Sequence, residues 1–263
     1  MVSLFSVESV NLHYGREQVI HEVSLPDVDE GQLIGLIGPN AAGKSTLMKA
    51  MSGQITGSGN IHLNGKNFSE WGHDNWIKQV SYMPQTPPQP TPLLPWELLW
   101  SAARSLSLKD SDDELTYRIT RLFSRLGLLP YANSPLYSLS GGKRQLVSLA
   151  LTLIREPILL LLDEPTSALD LHWRLVVLDY VRERVKTTGG AAIAALHDLE
   201  LAVRYCDRLV LLHQGKVAAT GSAREVLTAA NLASVYQVDA EIIETPSGFP
   251  MVQIHKPIQS TSA

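Results

Sequence analysis

Residues 33–46 read LIGLIGPNAAGKST, and this stretch decides the fold. Leu33 to Ile37 form an apolar run of strand length, too short for a stable helix. The run enters Gly38-Pro39-Asn40-Ala41-Ala42-Gly43-Lys44-Ser45-Thr46, which matches G-x-x-x-x-G-K-[ST] between an expected strand and an expected helix beginning near Lys44. Such a loop wraps its backbone round phosphate oxygens, so its tightest points carry no side chain. Lys44 is placed to reach the β- and γ-phosphates, and the Ser45 hydroxyl to bind Mg²⁺.

Two further apolar runs have the same build. ILLLLDE (158–164) and AAIAALHD (191–198) are strand-sized and end in polar pairs. Unbroken apolarity suits parallel strands covered on both faces. Ligands of such sheets gather at the carboxyl ends of the strands. Gly38, Asp163, Glu164 and His197 all lie at or just past such ends. The N-terminal stretch to about residue 35 is β-rich, with Phe5, Val7 and Val19 to Leu25 in strand-like runs. The predicted fold class is α/β, with a β subdomain at the N-terminus and helices inserted between strands of the core.

The insertion is expected over 86–157. Six prolines fall in Pro84 to Pro95, which suits a linker or a ligand for a proline-binding module; the position beside Gln85 favours a hinge. Helical patterns follow. Ser111 and Glu114 are spaced as a capping box, and Leu115, Ile119, Leu122, Phe123 and Leu126 recur at helical spacing. The α/β core is assigned to 1–85 and 158–239. Residues 240–263 are assigned to a hairpin turning at Pro246 to Gly248 and a frayed tail.

Composition narrows the function classes. The chain has 263 residues, 44% hydrophobic and 18% charged, with net charge −4. No overall basic field points to nucleic acid. A single cysteine, Cys206, excludes an internal disulfide framework and reads as a small buried residue. No apolar stretch reaches the roughly 18 to 20 residues that span a bilayer. MVSLFSVESV lacks the basic start and apolar core of a signal peptide. The expected location is the cytosol, or a membrane surface reached through a partner.

Chemistry follows from the strand ends. Asp163 is placed for the metal of a magnesium–phosphate site, and Glu164 just beyond it for polarising an attacking water. His197, as a neutral imidazole, is placed to contact the γ-phosphate and orient that water. Gln85 follows the apolar strand Val80 to Met83. Its neutral amide suits both Mg²⁺ ligation and contact with the water. Tyr14 offers an aromatic face on which adenine stacks, worth about 1 to 3 kcal/mol by analogy with base stacking elsewhere.

A second phosphate-type segment, SLSGGKRQ, occupies 138–145. It places a serine and two glycines before a helix with basic residues in its first turn. Phosphate loop, glutamine after a strand, LSGGKRQ, carboxylate pair, SALD (167–170) and lone histidine occur in that order. This set resembles the ATPase subunit of ATP-binding cassette (ABC) transporters over about residues 4–246. The resemblance implies ATP with Mg²⁺ and a head-to-tail dimer of two copies enclosing two ATP molecules. It implies that Ser140, Gly141 and Gly142 close over the γ-phosphate held by the other copy. It implies that the loop Ser167, Ala168, Leu169, Asp170 crosses the interface.

Three positions depart from the family pattern. Ala41 stands where a third glycine is usual, and a modest change in nucleotide affinity is expected. Lys143 replaces a Glu or Gln and reads as an exposed lysine. Leu146 replaces a frequent arginine.

The tail EVLTAANLASVYQVDAEIIETPSGFPMV is similar to the ends of importer ATPases serving iron–siderophore, haem or cobalamin permeases. That subgroup implies separate transmembrane permease subunits, an indirect link to a substrate-binding protein, and a peripheral place on the cytoplasmic face of the inner membrane. Leu and Trp residues of LLPWELLWSA (93–102) fit either a permease contact or subdomain core. An exporter ATPase shares the same ATP site. A soluble ATPase acting on ribosomes or DNA is a further alternative, disfavoured by the single cassette.

Overall fold

The computed structural model describes residues 3–105, 110–246 and 248–258. In chain order the elements are β1 (Phe5–Tyr14), β2 (Glu17–Val28), β3 (Leu33–Ile37), α1 (Lys44–Met51), β4 (Ser58–Leu63), β5 (Lys66–Asn67), α2 (Phe68–Trp71), α3 (His73–Gln79) and β6 (Val80–Met83). Three helices follow: α4 (Pro95–Ser105), α5 (Asp112–Arg125) and α6 (Gly141–Leu153). The chain returns to β7 (Leu159–Asp163), α7 (Leu171–Thr188), β8 (Ala191–Ala195), α8 (Leu199–Tyr205), β9 (Arg208–His213) and β10 (Lys216–Gly221). It ends in α9 (Ala223–Val226), α10 (Ala229–Tyr236), β11 (Val238–Glu244) and β12 (Pro250–Pro257).

The six-stranded sheet has the order β10-β9-β3-β8-β7-β6. Strands β9, β3, β8, β7 and β6 run parallel, and β10 adds an antiparallel edge. A second, antiparallel sheet has the order β2-β1-β4-β5. The three apolar runs are buried along their whole length because both faces of their sheet are covered. Side chains of a strand alternate between faces. Leu33, Ile37, Leu160, Leu162, Ala192 and Ala194 accordingly pack with helices α4 to α8. Ile34, Leu36, Leu159, Leu161, Ile193 and Ala195 pack with α1 and the antiparallel sheet.

Helices α4 to α6 fall between β6 and β7 in the chain. Ser111 and Glu114 form the capping box that starts α5. Leu115, Ile119, Leu122, Phe123 and Leu126 are all buried. The proline tract carries no helix or strand between Met83 and Pro95. Its far end is tied down by the Leu136 and Tyr137 N–H groups, which donate to the carbonyls of Leu93 and Thr91. In LLPWELLWSA, Leu99 is buried, while Trp96, Leu98 and Trp100 are partly buried against the same core.

Cys206 packs against that core too, and burial pushes its thiol pKa up. Leu146 is buried there, among apolar side chains where an unpaired charge would be costly. The C-terminal hairpin β11–β12 pairs Glu244 with Pro250 at its turn. Ser247 of that turn and the tail 259–263 lie outside the described residues.

Candidate functional site

The site forms where β3, β7 and β8 end together. Gly38 leaves β3 at φ +146°, and a Cβ there would stand 2.1 Å from the Leu212 carbonyl oxygen. Only glycine lets the chain turn at that point. The loop then winds through Asn40, Ala41 and Ala42 to Gly43, which caps α1. The Ala42 carbonyl accepts from the Gly215 N–H at 3.0 Å, which pins the loop to the β9–β10 turn.

Ala41 adopts φ +61°, the left-handed region that penalises a Cβ. The motif G-x-x-x-x-G leaves this position open, but the backbone here favours glycine.

Lys44 is buried at the first turn of α1. Its Nζ donates to the carbonyls of Gly38 at 2.7 Å and Pro39 at 2.9 Å. Burial lowers its pKa, and the nearby carboxylates of Glu164 and Asp163 pull it partly back.

A cavity of about 750 Å³ opens over this loop. Tyr14, Asn40, Ala41, Ala42, Gly43, Lys44, Ser45, Thr46, Gln85, Glu164 and His197 all line it. Thus the phosphate loop, both expected water-facing side chains, the glutamine after β6 and the candidate stacking aromatic converge. Tyr14 is 49% exposed at the end of β1, so its ring is open to a planar ligand rather than spent on the core. Glu17 and Val19 also line the cavity. They belong to an ordinary alternating strand, so the sequence held no signal for them.

Asp163 lies beneath the cavity, 1% exposed. The Tyr82 hydroxyl donates to its Oδ2 at 3.0 Å. Burial and the Asp163 charge push the Tyr82 pKa up. Asp163 Oδ1 is buried with no hydrogen-bond partner among the described residues. A buried carboxylate oxygen left unpaired near Lys44 suits a hard cation or its bound water. Among the described residues no group of three or more His, Cys, Asp or Glu forms a metal cage.

Glu164 follows at φ +52°, again left-handed. Its carboxylate pairs through Oε1 with His197 Nε2. The pairing follows from topology, because β7 and β8 are neighbours with Asp163 opposite Ala195.

Ser140, Gly141, Gly142, Ser167 and Asp170 are not among the side chains that line this cavity. Ser140 caps α6 by accepting from the Lys143 N–H, and Asp170 caps α7 by accepting from the Trp173 N–H. Ser167 Oγ donates to the Glu164 carbonyl at 3.2 Å. The chain therefore carries a second constellation, at the start of α6 and the loop after β7, that does not line the cavity.

Lys143 corrects an expectation. It is partly buried rather than free in solvent. Its Nζ lies 4.5 Å from the Trp173 ring centroid and 5.0 Å from that of Tyr131. Two electron-rich faces hold the ammonium, and neither aromatic is adjacent to it in sequence.

Comparison with known proteins agrees with this geometry. The ABC transporter family profile matches residues 20–167. The chain is 35% identical to the iron(3+)-hydroxamate import ATP-binding protein FhuC of Bacillus subtilis (strain 168), covering 92% of this chain and 90% of that one. It is 34% identical to the hemin import ATP-binding protein HmuV of Shewanella denitrificans, covering 95% of this chain and 100% of that one. A solved structure of an ATP-binding subunit of an ABC transporter superposes with a TM-score of 0.75 at 32% identity, covering 84% of this chain and 90% of that one. With its phosphate loop, its Glu164–His197 pair and its second constellation at α6 in one fold, the chain belongs to the ABC transporter family.

Proposed function

We propose that this chain is the ATP-hydrolysing subunit of a membrane importer for an iron chelate of the siderophore or haem class. One observation carries the reading: the phosphate loop and the Glu164–His197 pair share a cavity, while Ser140, Gly141 and Gly142 of the same chain do not line it. Two copies arranged head to tail give each phosphate loop the other copy's α6 N-terminus. The α6 N–H groups and the Ser140 hydroxyl then face an anion, as a helix N-terminus favours.

Within one site the roles divide as follows. Lys44 leaves the Gly38 and Pro39 carbonyls for the β- and γ-phosphate oxygens. Ser45, Gln85 and Asp163 would hold Mg²⁺, a role for which the unpaired buried oxygen of Asp163 is suited. When bound, the metal neutralises charge on the phosphate oxygens. Glu164 polarises the attacking water, and His197 fixes the Glu164 carboxylate. Tyr14 stacks on the adenine. Ser167 and Asp170 hold the loop that meets the other copy.

The fold supports a peripheral role, since among the described residues no helix is long and apolar enough to cross a membrane. Separate permease subunits supply the pore, with a substrate-binding protein beyond them. The ATPase then sits on the cytoplasmic face of the inner membrane. Relatives named for hydroxamate and hemin import support the iron-chelate class.

The test is Glu164→Gln. This variant is expected to bind ATP, accumulate as a dimer with ATP and Mg²⁺, and lose about 10²- to 10⁴-fold in kcat. Sedimentation showing only monomer at saturating nucleotide would sink the dimer reading. Affinity purification from solubilised native membranes is expected to retain a polytopic permease. Recovery of ribosomal or DNA-repair proteins alone would overturn the importer assignment.

A further inference from the structure

The buried side chain of Gln145 joins the two constellations. It is 1% exposed, on the second turn of α6. Its Nε2 donates to the Glu164 carbonyl at 2.6 Å and lies 3.3 Å from Ser167 Oγ. Its Oε1 accepts from the Ala168 N–H at 3.0 Å. Both ends of one amide thus clasp the loop from Glu164 to Ala168. No chain neighbour of Glu164 supplies these bonds; they come from the helix whose first turn carries Gly141 and Gly142.

The contacts around the clasp leave little freedom between helix and loop. A Cβ at Gly142 would stand 2.8 Å from the Ala168 carbonyl oxygen, so α6 is seated directly on the loop. Lys143 holds Trp173 on the first turn of α7, three residues past Asp170. Glu164 itself has φ +52°, a backbone state that surrounding contacts must hold in place. Its carbonyl accepts from Gln145 Nε2, from the Ser167 N–H and from Ser167 Oγ.

We propose that Gln145 is a positioning residue for Glu164, and that it links the two ATP sites of the dimer. The N-terminus of α6 faces the nucleotide held by the other copy. A shift of α6 when that nucleotide is bound is carried one helical turn to Gln145, and from there to the backbone bearing this copy's own Glu164. Each copy thereby aims its catalytic carboxylate according to whether the opposite site is filled. Both sites bias one discrete arrangement of one element, which is the physical requirement for coupling. The inference rests on the head-to-tail reading above.

The test is Gln145→Met, which keeps length and apolar volume but makes neither bond. ATP hydrolysis is followed against ATP concentration at saturating Mg²⁺, beside thermal melting. The expected result is a kcat lower by about 10- to 100-fold, with KM for ATP within about two-fold. The Hill coefficient is expected to fall to about 1. A side chain that only supported the fold would move melting and leave cooperativity intact.

Gln145→Glu separates the two ends of the amide. As a carboxylate it still accepts from Ala168 but no longer donates to the Glu164 carbonyl, and it is expected to lose kcat and cooperativity in the same way. It decides the matter if Gln145→Met melts below the assay temperature. Unchanged kcat and Hill coefficient in a folded variant overturn the proposal. Dimer formation by Glu164→Gln, beside unaltered kinetics in Gln145→Met, sinks the linkage alone. Failure of Glu164→Gln to dimerise sinks the head-to-tail reading beneath it.

Discussion

His197 Nε2 meets the Glu164 carboxylate across the carboxyl ends of two neighbouring strands, β8 and β7. The contact fixes the carboxylate on a residue whose backbone is already left-handed. Without the imidazole the carboxylate loses that partner and is free to rotate away from the position the proposed mechanism requires. His197→Ala is therefore expected to lower kcat by about 10²-fold while KM for ATP changes by less than about three-fold. Steady-state phosphate release checks this; a kcat equal to wild type would remove His197 from the mechanism.

Ala41 holds a left-handed backbone that costs an L-residue about 1 to 2 kcal/mol. Glycine removes that cost but adds freedom to the unfolded chain, worth about 0.5 to 1 kcal/mol. Ala41→Gly is thus expected to stabilise the free protein by up to about 1 kcal/mol, seen as a higher urea midpoint at unchanged slope. A lower midpoint would mean that the Ala41 methyl contributes packing that outweighs the strain.

The Tyr82 hydroxyl donates to Asp163 Oδ2, while Oδ1 has no partner among the described residues. Tyr82→Phe leaves the whole buried carboxylate without a donor. The expected cost is about 1 to 3 kcal/mol in the absence of nucleotide. The deficit should shrink at saturating ATP and Mg²⁺, because a bound cation compensates the carboxylate and ligand binding stabilises the folded state. Melting with and without nucleotide tests this, and an equal deficit in both would argue against a metal beside Asp163.

Lys44 has a lowered pKa in the free protein, chiefly through burial. The unfolded chain therefore binds more protons than the folded one between that lowered value and the ordinary lysine value. In this alkaline window stability rises with pH as the burial penalty on the charged form is relieved. Phosphate oxygens beside Lys44 favour its charged form, so nucleotide binding is expected to take up protons there. Calorimetry at alkaline pH in buffers of different ionisation enthalpy measures the uptake. Its absence in wild type, or its persistence in Lys44→Met, would assign the proton elsewhere.

The sequence by itself determined the α/β class, the phosphate loop and the strand-end carboxylates. These features are local: unbroken apolar runs mark buried parallel strands, and a glycine-spaced loop between strand and helix has one physical use. The capping box at Ser111 and the buried face of α5 were legible for the same reason. Convergence at distance was decided only by the tertiary structure. Asp163 is bonded to Tyr82, 81 positions away in the chain, because β6 and β7 are neighbours. Lys143 looked like a solvated lysine until Tyr131 and Trp173 closed on it. Ala41 was legible as a departure from a usual glycine, but the left-handed backbone that favours glycine there is a property of the folded loop. Gln145 stood inside a motif that could be quoted, yet its amide acquires a purpose only when α6 packs on the loop after β7. Periodicity and spacing report which face of an element is buried; the partner it is buried against is a property of the folded chain.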